Sequence, residues 1–275
     1  MIKLLNGDCL TLMKDLSDNS IDILIVDLPY GNTTSCKWDI CLDMKEYWKQ
    51  INRICKTDAP MFFFCNTKFG NTLINSNPKN FRYEYVYIKN QATGFLNAKK
   101  MPMKKVEYVY VFYNKLSKVY TENITKYHKH KFIKERVNNR NEKDGINNKH
   151  AIKNRSKTET INKYDPKLPE NVITENTIYN THTRNRDTEL TYEPTLPDNV
   201  LEYNSDKGKH PTQKPVELIK WILKYYTRPN DTCLDTTMGS GSTGVACKEM
   251  DINFIGMELD KDYFNVAKDR INMIV

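Results

Sequence analysis

Short apolar runs alternate with amphipathic segments at both ends of this chain, and no other feature of the sequence constrains the fold as strongly. Seven apolar runs are predicted as strands, at 2–5, 21–26, 61–65, 83–89, 106–113, 231–235 and 253–258. Helical spacing falls between them, at 9–16, 44–55, 69–75, 216–227, 242–250 and 261–273. Strands that alternate with helices indicate an α/β fold, doubly wound around a mainly parallel sheet.

A long polar segment separates the two α/β parts. From residue 115 to about 206, Asn, Lys, Thr and Glu dominate, and Gly145 is the only glycine. Residues 115–163 hold 14 Lys or Arg against 5 Asp or Glu, which accounts for the formal net charge of +8. Such a cluster favours contact with a polyanion, and a solvated basic insert is the plainer alternative. We therefore divide the chain into 1–114, an inserted 115–206, and 207–275.

The cysteines and the apolar runs restrict the class of protein. None of the seven cysteines forms a Cys-x-x-Cys pair. This pattern argues against a disulfide framework or a zinc site and for a reducing cytoplasm, and we expect no bound metal. No apolar run approaches the roughly 18 residues that a membrane span needs, so we expect no contact with a membrane.

The first candidate site is a glycine loop that follows a predicted strand and precedes a helix. Residues 235–244 read Asp-Thr-Thr-Met-Gly-Ser-Gly-Ser-Thr-Gly. Glycines let the backbone pass close to a ligand at a helix N-terminus. Glu258 ends the next strand, where a carboxylate can accept hydrogen bonds from both hydroxyls of a ribose. The pattern indicates a nucleotide-like cofactor. The loop alone does not exclude NAD, and a purely structural tight turn is the minor alternative.

The second candidate site is the acidic, aromatic corner Asp27-Leu28-Pro29-Tyr30, which ends another predicted strand. The Asp27 carboxylate and the Leu28 carbonyl can each accept one hydrogen of an amino group. Tyr30 offers a face on which a flat base can stack. The structural alternative is an Asx-type turn with Tyr30 in the core.

Both motifs resemble those of the amino-group DNA methyltransferases. Asp27-Leu28-Pro29-Tyr30 is similar to their catalytic Asp-Pro-Pro-Tyr motif, with Leu28 in place of the first proline, and 235–244 is similar to their S-adenosylmethionine loop. Residues 210–215 resemble the segment before that loop, and Gly7-Asp8 resembles the segment whose acid binds the cofactor adenine. Because the catalytic motif precedes the cofactor loop, the order is that of the β-type permutation.

The resemblance implies a permuted, seven-stranded, Rossmann-like methyltransferase sheet. Its catalytic half would be 1–114, its inserted target-recognition region 115–206 and its cofactor half 207–275. It also implies which residues bind S-adenosylmethionine: Asp8, Cys9, Lys214, Asp235, Gly239, Gly241, Ser242, Thr243 and Glu258. Gly94-Phe95 with Glu107 resembles the strand pair that walls the base pocket.

The implied reaction transfers a methyl group from S-adenosylmethionine to N6 of a flipped adenine in double-stranded DNA. The catalytic residues would be Asp27, Leu28, Pro29 and Tyr30, and Asp at the first motif position favours adenine over N4 of cytosine. The basic segment would contact DNA through Lys126, Lys129, Lys131, Lys134 and Arg136.

Other partners and other functions stay open at this point. A homodimer and a cognate restriction nuclease are candidate partners. The rival functions are a methyltransferase for RNA or protein, a nicotinamide-dependent oxidoreductase and a non-catalytic DNA-binding module. The oxidoreductase leaves 27–30 and 210–215 without a role, which makes it the weakest of the three.

Overall fold

The chain forms two compact units, residues 1–124 with 199–275 and residues 125–198. The computed structural model describes residues 1–30, 42–93, 104–120, 132–134, 160–162, 200–203 and 213–274. In the described part of the second unit, two short strands pair antiparallel, with Phe132 opposite Asn162 and Lys134 opposite Thr160. These strands are β6 (Phe132–Lys134) and β7 (Thr160–Asn162).

The first unit is built on one eight-stranded sheet. Its strands are β1 (Ile2–Asn6), β2 (Ile23–Val26), β3 (Met61–Cys65), β4 (Phe81–Thr93), β5 (Lys104–Phe112), β8 (Val200–Tyr203), β9 (Thr232–Asp235) and β10 (Asn253–Glu258). Their order is β1-β10-β9-β2-β3-β5-β4-β8. Neighbours from β1 to β3 are parallel, and β5 runs antiparallel to both β3 and β4. The predicted α/β class with a mainly parallel sheet is confirmed.

Four of the six helices in the described residues begin after a side chain that accepts from the free N–H groups of the first turn. They are α1 (Cys9–Leu12), α2 (Met44–Ile54), α3 (Thr67–Ser76), α4 (Val216–Tyr226), α5 (Ser242–Glu249) and α6 (Lys261–Asn272). Asp8, Asp43, Asn66 and Asp260 each accept a hydrogen bond from the turn that follows. No helix among the described ranges is long and apolar enough to cross a membrane.

Several elements differ from the sequence prediction. Strands β6 and β7 are not predicted, and β4 spans Phe81–Thr93 where the prediction is 83–89. The sheet has an eighth strand, β8, which pairs parallel with β4 from Val200 to Tyr203. This strand has four residues of mixed polarity, and so short a segment does not show the alternation of apolar and polar residues by which a strand is predicted. The first helix is also shorter than predicted, since α1 ends at Leu12 and a 3-10 turn covers Met13–Asp15.

The parallel strands bring the candidate sites to one edge of the sheet. Strands β1, β10, β9 and β2 run in the same direction, so their carboxyl ends lie side by side. Asn6 of β1 is opposite Glu258, and Gly256 of β10 is opposite Asp235. All four residues of β2 are buried, and Asp27 follows directly at the edge. This edge is where open α/β sheets bind their ligands.

Candidate active site

The glycine loop between β9 and α5 uses its glycines for two purposes. Gly239 has φ +52° and Gly241 has φ +82°. A Cβ on Gly241 would lie 2.9 Å from Cβ of Ala267 on α6, so this glycine lets the loop pack on the helix. No atom of the described residues lies within 4 Å of a Cβ placed on Gly239. Within the described part of the chain, the backbone at Gly239 therefore faces open space.

Glu258, at the end of β10, is tied to the same loop. Its Oε2 accepts the N–H of Gly239 at 2.9 Å and its Oε1 accepts the N–H of Asp260 at 2.8 Å. Burial raises the pKa of this carboxyl above its ordinary value. Each carboxylate oxygen keeps a further lone pair, so Glu258 can still accept hydrogen bonds from a ligand.

Asp235 and Thr243 bond to each other inside the loop. Thr243 Oγ1 donates to Asp235 Oδ2 at 2.7 Å, and the N–H of Thr237 donates to Oδ1 at 3.1 Å. Burial raises the pKa of Asp235 to about 7. Asp235 and Thr243 were both expected to bind the cofactor, and their side chains instead form hydrogen bonds within the loop itself.

Ser242 presents an unusual hydroxyl at the first residue of α5. Its side chain is buried, and among the described residues its Oγ has no hydrogen-bond partner. Buried polar atoms are nearly always paired, so an orphaned hydroxyl beside a glycine loop fits a polar group of a ligand.

The N-terminal acid lies next to the end of β10. The N–H of Gly7 donates to the carbonyl of Glu258 at 2.9 Å, which brings Asp8 and Cys9 to this edge. Asp8 Oδ1 accepts the N–H of Thr11 at 2.9 Å and so caps α1. Burial, with the nearby Asp8 charge, raises the pKa of the Cys9 thiol to about 12. Cys9 is therefore a neutral thiol at physiological pH.

At the acidic, aromatic corner formed by residues 27–30, both oxygens of Asp27 have partners. Tyr30 Oη donates to Oδ1 at 2.8 Å, and Lys214 Nζ lies 2.8 Å from Oδ2. The backbone carbonyl of Asp27 accepts a hydrogen bond of 3.0 Å from Thr237 Oγ1 in the glycine loop. The corner and the loop are thus in direct contact.

Lys214 joins Asp27 to a second carboxylate. Its Nζ lies 3.4 Å from Glu107 Oε2, and Lys89 Nζ lies 2.9 Å from Glu107 Oε1. Burial alone would lower the pKa of Lys214, but the charges of Asp27 and Glu107 outweigh it and raise the pKa. The same two lysines outweigh burial at Glu107 and lower its pKa. Lysine and carboxylate alternate along this row, so every charge has a neighbour of opposite sign.

Tyr30 packs beside a small cleft. Its ring stacks on Phe69 of α3, with centroids 4.9 Å apart and an angle of 27° between the planes. Burial, followed by the nearby Asp27 charge, raises the pKa of Tyr30 well above its ordinary value, so the phenol stays protonated and donates. The cleft is lined by Leu28, Pro29, Tyr30, Leu42, Met44, Lys68, Phe69 and Thr72.

Most of the chain matches a known protein family. A family model described as DNA methylase, of the N6/N4 type, matches residues 21–269 of this chain. The chain belongs to the N6/N4 DNA methylase family. The predicted resemblance is confirmed by this match.

Curated relatives of this DNA methylase match it over a short region. The type II methyltransferase M2.LlaDCHI of Lactococcus lactis subsp. cremoris is 46% identical over 62 residues, 22% of this chain and 23% of that protein. M2.DpnII of Streptococcus pneumoniae is 44% identical over 61 residues, again 22% and 23%. The chain thus aligns with about a quarter of the length of these relatives.

Solved structures resemble this DNA methylase along its whole length. The complex of M1.HpyAVI with SAM has a TM-score of 0.56 at 21% identity and covers 98% of this chain and 100% of that one. The cytosine-N4-specific PvuII DNA methyltransferase has a TM-score of 0.63 at 13% identity, over 100% and 88%. At these identities the likeness concerns the fold.

Several predicted residues of the DNA methylase lie outside the described residues. These are Gly94, Phe95, His210 and four of the expected DNA contacts, Lys126, Lys129, Lys131 and Arg136. The fifth, Lys134, is the last residue of β6. In the ranges that the structure does describe, no group of three or more His, Cys, Asp or Glu is arranged to hold a metal ion.

Sequence reasoning missed two contributors to the site and placed a third differently. Thr237 lies within the glycine-loop motif, but no signal marks its hydroxyl as a partner of Asp27, and a lysine in a strand such as Lys89 is common. Lys214 was expected in the cofactor pocket, and its ammonium group instead lies on Asp27 and Glu107.

Proposed function

We propose that this chain is an S-adenosylmethionine-dependent DNA methyltransferase that modifies N6 of a flipped adenine. One observation carries the proposal: the carboxylate of Asp27 and the open backbone at Gly239 lie at one sheet edge and are linked through Thr237. A ligand over the loop and a base held by Asp27 would therefore share one crevice.

The residues of the crevice fit the cofactor, which supplies an activated methyl group when bound. Gly239 provides backbone that a ligand can approach closely. Glu258 and Asp8 are carboxylates at adjacent strand ends, suited to ribose hydroxyls and to an amino group. Ser242 offers the orphaned hydroxyl at the start of α5. Asp235 and Thr243 would support the loop from within.

The proposed role of the corner is to orient an exocyclic amine. Such an amine is a weak nucleophile because its lone pair is delocalised into the ring. Asp27 and the Leu28 carbonyl would hold both amino hydrogens and so direct the lone pair out of the ring plane. The increase in the rate of transfer would come from the fixed orientation of the amine and from the preorganised charge around it.

The contacts of Asp27 indicate how it would receive the base. Lys214, itself held by Glu107, keeps a positive charge against Oδ2. The amino group of the base would replace Tyr30 Oη as the donor to Asp27 Oδ1. The Tyr30 ring would then be free to stack on the flipped base. Adenine is proposed because of Asp at the first motif position, and N4 of cytosine is the alternative within the family.

The proposed substrate is double-stranded DNA. The basic residues 115–163 support it, because clustered lysines and arginines attract a phosphate backbone. The relatives are called type II methyltransferases, which supports the expectation of a cognate restriction nuclease. That nuclease and a homodimer stay predictions.

Replacement of Asp27 tests the reaction. Asp27→Ala should lower the rate of methyl transfer by at least about a hundredfold, because the amine loses its charged acceptor. Binding of S-adenosylmethionine, measured by calorimetry, should change little. Asp269→Ala, an exposed aspartate on α6, is the matched control. A variant at Asp27 that still turns over would overturn the catalytic assignment.

The base is tested separately. DNA methylated by the protein is digested to nucleosides and analysed by mass spectrometry. N6-methyladenine is expected, and N4-methylcytosine would establish the alternative. Methylation of RNA but not DNA would contradict the proposed substrate.

A further inference from the structure

The backbone of the catalytic corner is held by a side chain from the far end of the chain. Thr237 Oγ1 donates to the carbonyl oxygen of Asp27 at 3.0 Å, across 210 residues of sequence. The contact is with the backbone, so it leaves both carboxylate oxygens of Asp27 available to other partners.

Thr237 is itself well anchored. Its N–H donates to Asp235 Oδ1, and Asp235 is buried and bonded to Thr243. The preceding residue, Thr236, is also buried, with its Oγ1 3.0 Å from Tyr47 Oη on α2. A hydroxyl fixed in this way can act as a rigid support.

The support acts on the peptide group between Asp27 and Leu28. A peptide group is planar, so holding its carbonyl oxygen fixes the orientation of the whole plane. Leu28 precedes Pro29, which restricts it to extended backbone, and its side chain is only 2% exposed. The one soft angle left is φ of Leu28, which a proline at this position would hold near −65°.

We propose that Thr237 is a positioning residue for the Leu28 carbonyl. Its hydrogen bond would orient the peptide plane before Leu28, whereas a proline at residue 28 would restrain the same turn through φ of that residue. The inference rests on the proposed function, in which the Leu28 carbonyl and the Asp27 carboxylate hold two hydrogens of one amine. Thr237 would therefore affect the rate of transfer and not the binding of cofactor.

Three variants separate this role from a structural one. Thr237→Val removes the hydroxyl at constant shape and should lower kcat between about tenfold and a hundredfold, as expected for a misdirected reacting group. The Kd for S-adenosylmethionine and the KM for DNA should stay within about twofold. Thr237→Ser keeps the hydroxyl and should restore most of kcat. In Thr237→Val/Leu28→Pro, proline should replace the missing restraint and also recover most of kcat.

A second measurement does not depend on activity. Hydrogen exchange followed by mass spectrometry should show faster exchange at the Leu28 and Tyr30 amides in Thr237→Val than in the wild type. The Tyr30 amide should slow again in the double variant. Thr227→Val, which removes the buried hydroxyl that donates to the Leu223 carbonyl at the end of α4, is the matched control: it should lower the unfolding temperature without changing exchange at the corner or kcat.

Two results would overturn the inference. One is unchanged exchange and unchanged kcat in Thr237→Val. The other is a loss of kcat matched by an equal loss of cofactor affinity, which would assign Thr237 to cofactor binding. A wild-type protein without methyl transfer would count against the proposed function alone, because the exchange measurement would still decide the role of Thr237.

Discussion

Two aspartates at one sheet edge have different electrostatic surroundings. Asp27 has the ammonium group of Lys214 at 2.8 Å. In the part of the chain that the structure describes, the hydrogen-bond partners of Asp235 are a hydroxyl and an amide N–H, and Asp27 and Glu258 add repulsion. Burial therefore dominates at Asp235 and raises its pKa to about 7. The same residue type thus supplies a charge-balanced carboxylate at one position and an acid that titrates near neutrality at the other.

Asp235 makes the stability of the ligand-free protein depend on pH. The folded state holds a proton that the unfolded chain releases near 3.8, so the free energy of unfolding should fall as pH rises from about 4 to about 7. The fall should be a few kcal/mol at most, since one pKa unit corresponds to about 1.4 kcal/mol. Asp235→Asn should flatten this dependence in urea unfolding between about pH 5 and pH 7.5.

Asp251→Asn, at an exposed position, is the control for that measurement. An equally steep pH dependence in Asp235→Asn and in the wild type would show that another group titrates.

Among the elements, the glycine loop combines space for a ligand with packing on a helix, and the two glycines involved are only two residues apart. Gly239 leaves space for a ligand, and Gly241 lets the loop contact α6. Gly244 serves the same packing, because a Cβ there would meet Ile271 and Phe254. The glycine pattern in the sequence therefore does not reveal which glycine is needed for binding and which for packing, and the structure distinguishes them.

Substitution of Gly239 should reduce cofactor affinity, whereas substitution of Gly241 should reduce stability. Gly239→Asn places a side chain where a left-handed backbone tolerates asparagine, so the unfolding temperature should change little while cofactor affinity falls at least about tenfold. Gly241→Ala puts a methyl against Ala267 and should cost about 1–3 kcal/mol of stability. Calorimetry and thermal unfolding measure the two effects, and unchanged affinity in Gly239→Asn would remove that residue from the site.

The elements were largely predictable because local patterns determine them. Strand β3 is the predicted 61–65, a continuous buried run, and β10 is the predicted 253–258. Strand β8 was not predictable, since its formation depends on an edge that β4 offers from more than a hundred residues away. The partners of Lys214 were unpredictable for a similar reason. Lys214 lies in the segment before α4, and it meets Asp27, which follows β2, and Glu107 of β5 only after the sheet has formed.

At the scale of the whole molecule, the charge is unevenly distributed. The formal net charge is +8, and residues 115–163 carry a larger surplus than the whole chain. Under the proposed function this segment supplies the nonspecific part of DNA binding, which depends on salt through the release of counterions.

Neutralising that segment should weaken the salt dependence. Glutamine is introduced at Lys126, Lys129, Lys131, Lys134 and Arg136 together. The slope of log Kd against log salt concentration should decrease by about one for each phosphate that the protein no longer neutralises, and fluorescence anisotropy with labelled DNA measures it. The control replaces five exposed lysines of the other unit with glutamine: Lys3, Lys14, Lys45, Lys79 and Lys268. An equal decrease in both variants would argue that only the overall charge matters.

The pairing of β2 with β9 has a consequence for how such a protein can change over time. Asp22 and Thr232 exchange hydrogen bonds of 3.0 Å, and Leu24 lies opposite Leu234. These contacts set the spacing between Asp27 and the glycine loop, and none of them involves residues 125–198. If the proposed function holds and that stretch selects the target, descendants of this gene can exchange or diversify it while inheriting the reaction centre unaltered.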